Sequence, residues 1–180
     1  MRPASEQCAG PNGGPMAPMI GWFYNANMQI VQTKDVVMLL AEMNHDARII
    51  PLTGDPREID YLQWMGNSQG HWEGNVLIVE TTGFRAEQSW LAFRMTDQLK
   101  VTECFELTSN DEVFYSYTFT DPGLYIEPVT VEKTSFGVKQ VSNYLSTLAM
   151  RATILSLVFS QALGGLIWIP QIKLGRFGIV

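Results

Sequence analysis

The side chains best suited to chemistry are few. The chain has two histidines, His45 and His71, and each has carboxylates close by in sequence. Glu42, His45 and Asp46 fall within EMNHD, at a strand end and in the turn after it. A histidine beside carboxylates can exchange protons near neutral pH or supply metal ligands. Asn44, His45 and Asp46 are also good turn formers, so a plain turn explains the same triplet. A metal site would need carboxylates to finish its shell, and no metal is assigned. Glu103 raises a different question. In KVTECFEL, Val101, Glu103 and Phe105 share a face, with Leu99 and Leu107 in the same row. A carboxylate in an apolar row must be paired or protonated, because leaving water penalises its charged form. It is either an acid/base group inside the fold or the partner of a buried donor such as Arg48. Glu103, His45 and Asp46 are therefore the candidate catalytic residues.

A third cluster, His71 and Glu73, lies on a hairpin. Gly74-Asn75 is a two-residue loop of the type that closes antiparallel strands, because both residues tolerate positive φ. That register sets Trp72 opposite Leu77 and His71 opposite Ile78. Gly70, Trp72, Leu77 and Val79 then form an apolar core face, with His71, Glu73, Val76, Ile78 and Glu80 on the other. His71 and Glu73 either line a pocket or make the wet face of a strand. Trp64, Trp72 and Trp90 suit a core as well as a ligand contact. Glu42, Arg48, Trp64, His71, Trp72 and Glu73 are the candidate ligand-binding residues.

The elements that must position these groups are strands. Residues 1–21 carry Gly and Pro without periodicity and read as an irregular arm. Met28–Thr33 and Val36–Met43 read as strands joined at Lys34-Asp35, with Ala47–Leu52 as a third. Thr53–Asp60 reads as a loop, and Tyr61–Met65 as one helical turn or an irregular crossover. Arg85–Asp97 reads as a connection with a short helix near Trp90. Leu99–Leu107 and Val113–Thr120 form a second hairpin across Ser109-Asn110-Asp111. Asp121-Pro122-Gly123 is a turn before a strand over Glu127–Ser135. Strands joined by short turns predict a mainly β fold, an antiparallel meander closed or partly closed as a lipocalin-like barrel over 22–135. The stretch ATILSLVFSQALGGLIWI, residues 152–169, has no charge and is of near-minimal membrane-spanning length, so the apolar tail over 136–180 could be helical.

With 180 residues, 46% hydrophobic, the chain suits one domain with a sizeable core. A net charge of −6 disfavours nucleic acid, which needs a basic face. Cys8 and Cys104 are too few for a disulfide framework. No basic and apolar signal segment opens the chain. The sequence names no cofactor and no oligomeric state.

NANMQIVQT from Asn25, EMNHDARIIPLTGDP from Glu42, WMGNSQGHWEGNVLIVETTGF from Trp64, VTECF from Val101 and DPGLYIEPVTVE from Asp121 make a specific set. In these the chain, from about Ser5 to about Lys133, resembles an uncharacterised family of secreted or periplasmic bacterial proteins. The resemblance implies a β-rich fold, export and a small-molecule or cell-envelope role. It also implies a shortened N-terminus, since the family has a signal peptide and a further segment before the counterpart of SEQC at Ser5. Family members continue into a CHEGNYSL strand that is missing here. Reading across codon junctions from Leu148 permits that sequence, so a stretch beginning within 134–146 and running to Val180 is expected to be out of frame. Cys104 stands where the family has arginine, and Asn67, Gln69 and Asn75 replace charged residues. Thr53 and Asp55 disturb a further motif. These departures predict impaired family activity in this chain.

Three functions compete. The first is a ligand-binding or enzymatic β-barrel of the cell envelope with a small-molecule ligand. The second is a non-enzymatic envelope or interaction protein. The third is a β domain held at a membrane by a helix within 152–169, which requires that the tail be genuine.

Overall fold

Side chains alternate between the two faces wherever the backbone is extended, and among the described residues nine strands form. The computed structural model describes residues 16–19, 27–42, 45–54, 59–89, 94–109, 112–140 and 153–158, with the backbone alone for 133–140 and 153–158. The strands are β1 (Asn27–Gln32), β2 (Val36–Ala41), β3 (Ala47–Pro51), β4 (Asn67–Glu73), β5 (Val76–Thr82), β6 (Lys100–Ser109), β7 (Glu112–Thr120), β8 (Val129–Gln140) and β9 (Thr153–Val158). They form one sheet in the order β3-β2-β1-β9-β8-β7-β6-β5-β4, antiparallel throughout. The fold is mainly β and antiparallel, as the turn chemistry predicts.

Each strand pairs with its neighbour in the chain except β3 with β4, and β9 returns to pair with β1. Among the described residues no ladder joins β3 to β4. Their edges instead meet through side chains. Arg48 on β3 donates from Nε to Ser68 Oγ on β4 at 2.9 Å. Ile50 and Leu52 close over Gly70, where an added Cβ would lie 2.8 Å from Ile50 Cγ2 and 3.1 Å from Leu52 Cδ2. A side chain at position 70 would push these edges apart.

The register of the β4–β5 hairpin is the one alternation demands, with Trp72 opposite Leu77 and His71 opposite Ile78. Gly74 supplies the positive φ of the turn, at 63°. The inner face carries Val37, Leu39, Ile50, Leu77, Val79, Val101, Phe105, Val113 and Tyr115, all buried. Met16, Ala17 and Met19, from the irregular arm, are buried in the same cluster.

Several expectations meet corrections. Trp72 has the parity of the core face but is 42% exposed, because the last residues of β4 run past the packed part of the sheet. Tyr61–Met65 is an irregular crossover rather than a helical turn. Gln63 bridges to Phe84 and its N–H donates to the Gly83 carbonyl. The described part of the apolar tail, Thr153–Val158, is a strand, not a helix. Its β-branched residues suit extended backbone, and the facing edges of β8 and β1 offer unpaired groups to bond. The sheet thereby continues past the boundary expected at 135. In the connection after β5, a 3-10 turn forms at Ala86–Gln88. The expected helix near Trp90, the tip Asn110-Asp111, residues 55–58, and the rest of the arm and tail lie outside the described residues. No described helix is long and apolar enough to cross a membrane.

Candidate functional site

The inner face is apolar except where Arg48, Ser68, Thr81 and Glu103 interrupt it. Strand register brings these four together. Ser68 and Thr81 are cross-strand partners on β4 and β5, and their hydroxyls lie 2.9 Å apart. Glu103 sits opposite Val79 on β5 and Tyr117 on β7. Arg48 enters from β3, across the unladdered edge. Its Nη2 donates to Thr81 Oγ1 at 3.3 Å, its Nη1 donates to Glu103 Oε1 at 3.3 Å, and Nη2 also pairs with Glu103 Oε2. The guanidinium fork thus spans both carboxylate oxygens, the geometry in which arginine pairs most strongly.

Tyr115 completes the group. Its hydroxyl donates to Glu103 Oε1 at 2.7 Å and accepts the Met19 backbone N–H at 2.8 Å. Glu103 is fully enclosed and Arg48 is 2% exposed. Burial, first, and then the charge of Glu103 and its hydrogen bond, push the Tyr115 phenol well above the usual range; the Met19 N–H and Arg48 oppose this. Burial and then Glu103 also raise Tyr117. Loss of water is thus the main cause of both shifts, with the neighbouring carboxylate adding to it. Of the two sequence readings of Glu103, pairing with Arg48 is the one realised in the geometry.

The other candidates stand apart from this group. His45 adopts φ 58° in the β2–β3 turn and is exposed, as its turn-forming neighbourhood suggests. Asp46 carries a raised pKa from partial burial, opposed by His45. Its backbone carbonyl accepts the Ala41 N–H. Glu42 accepts the Asn27 side-chain amide at 2.7 Å. His71 lies 3.2 Å from Glu73 Oε1, and both are well exposed. The residue facing His71 is Ile78, which in turn faces Cys104, so His71 projects from the sheet face opposite to Glu103. His45, His71 and Glu103 therefore do not surround one concavity. Trp64 is part-buried beneath the Arg85 guanidinium, 4.7 Å from its ring centre, and its carbonyl accepts Gln88 Nε2 at 2.6 Å. Trp72 is on the protruding end of the hairpin. Cys104 is half-buried, and burial raises its thiol pKa while a Ser116 hydrogen bond opposes.

Sequence reasoning missed Tyr115, Ser68, Thr81 and Met19. The first three were within reach, since hairpin register pairs Ser68 with Thr81 and puts Tyr115 two residues from the partner of Glu103. No periodic signal marks Met19. Among the described residues no three ligating side chains cluster to hold a metal ion. Comparison with family models, with curated proteins and with solved structures finds no match to this chain.

Proposed function

We propose that this chain is a lipocalin-like β-barrel of the cell envelope, periplasmic or secreted, that binds a small apolar molecule and performs no chemistry on it. The observation that supports the reading is the strand order, which returns β9 to β1 and, among the described residues, brings the two end strands β3 and β4 together through side chains without a ladder. A sheet closed across that β3–β4 seam would enclose an apolar interior, and one polar group on its wall, Tyr115–Glu103–Arg48, would orient an occupant. Binding is favoured over catalysis because Glu103 already accepts from Arg48 and Tyr115, and a general acid/base needs an oxygen open to substrate. That same saturation also favours a second reading, a non-enzymatic envelope protein with no ligand at all.

A fluorescence titration separates the two. The full chain is titrated with N-phenyl-1-naphthylamine, a neutral apolar amine that brightens out of water. Binding predicts a saturable rise at one site per chain. A linear, unsaturable response leaves the second reading.

A further inference from the structure

The arm segment Met16–Met19 belongs to no strand, yet it is buried against the inner face as deeply as the strands themselves. Its sequence is Met-Ala-Pro-Met, without charge and without a hydroxyl. Its backbone meets that face through the Met19 N–H, which donates to the Tyr115 hydroxyl at 2.8 Å. We propose that Met16–Met19 is a tethered occupant of the binding chamber, and that the external ligand is a neutral apolar molecule with a hydrogen-bond donor that displaces it. This rests on the binding reading above.

The chemistry of the wall defines the class. The Tyr115 proton is committed to Glu103, so the hydroxyl meets an occupant as an acceptor, and the occupant must donate. Arg48 and Glu103 neutralise one another, so a charged head group would be desolvated without compensation. The buried cluster to which the segment belongs is made of aliphatic, aromatic and methionine side chains. Methionine thioethers are flexible and fill irregular space without demanding one shape, which suits an occupant that can leave. An intramolecular occupant lowers the apparent affinity for a competitor by the fraction of time the chamber is open.

The test uses the full chain and a Met16→Asp/Met19→Asp variant, whose carboxylates cannot remain buried. Both are titrated with N-phenyl-1-naphthylamine and with its N-methyl analogue, which lacks the donor. Circular dichroism reports the fold. The variant should keep its β signal and bind the amine about tenfold or more tighter than the unaltered chain, as release of a mostly closed chamber requires. The amine should outbind the analogue, and Tyr115→Phe should abolish that preference. In the unaltered chain, saturating amine should raise peroxide oxidation of Met19 several-fold. A folded variant with no gain in affinity overturns the proposal. So does a variant that unfolds, because the arm is then core rather than occupant. Binding by the unaltered chain without exposure of Met19 also refutes displacement while leaving the binding reading intact. Absence of saturable binding in both proteins removes the binding reading itself.

Discussion

Arg48→Met should be among the most damaging single substitutions in this chain. Glu103 would keep the Tyr115 hydroxyl but lose the guanidinium that spans both its oxygens. Breaking one side of a buried ion pair costs about 3–5 kcal/mol, because the other charge stays enclosed. Methionine replaces much of the arginine stem, so little of that cost is lost packing. Set against a total stability of about 5–15 kcal/mol, the loss removes a large part of the margin. At roughly 2–4 °C per kcal/mol for a chain of this size, the melting temperature should fall by about 10 °C. Replacing both partners, Arg48→Met with Glu103→Leu, should recover most of this, since apolar substitutes for a buried pair are often neutral. The Tyr115 hydroxyl would then lack its acceptor, leaving a residue of about 1–2 kcal/mol. Urea unfolding of the two single variants and the double, followed by circular dichroism, gives the coupling directly. Additive losses, or an Arg48→Met cost below about 1 kcal/mol, would refute the pairing argument.

Other consequences follow from the same contacts. Tyr115 keeps its proton well above the pH of 10.0 at which an ordinary phenol loses it. Stability should therefore be fully present below pH 10.0 and fall as pH rises toward the folded value, and Tyr115→Phe should flatten that alkaline fall in unfolding curves. Gly66→Ala should destabilise the β4 entry, since φ is +69° and the added Cβ would meet the Thr82 carbonyl oxygen at 2.9 Å; a cost under about 0.5 kcal/mol in urea unfolding would contradict this. Asp121 is buried and accepts from the Thr96 hydroxyl at 2.6 Å, the Thr96 N–H and the Gly123 N–H. Asp121→Ala leaves those donors unmatched and should cost about 2–3 kcal/mol, measured as a lower urea midpoint with an unchanged slope.

Local rules reached much of the fold. Gly74-Asn75 set the β4–β5 register, and alternation placed Val101, Glu103 and Phe105 on the inner face, because side-chain direction in a strand depends only on parity. The partnership of Glu103 with Arg48 was legible as an option, since a carboxylate in an apolar row demands a donor. What parity does not carry is how far the sheet extends around a residue. Trp72 has core parity but lies beyond the packed region, and nothing local to Trp72 says so. The burial of Met16–Met19 is likewise a long-range fact, reached through Tyr115, ninety-six residues away. His71 marks a further limit: the turn alone assigned its face, but parity left a pocket and a wet face both open, and only its exposed side chain in the fold separates them.

The account depends on an enclosed apolar interior that takes an apolar guest. Isothermal titration of the full chain with N-phenyl-1-naphthylamine at several temperatures tests this most directly. Saturable heats that fit one site per chain at every temperature are the predicted result. Heats that show no site would contradict it.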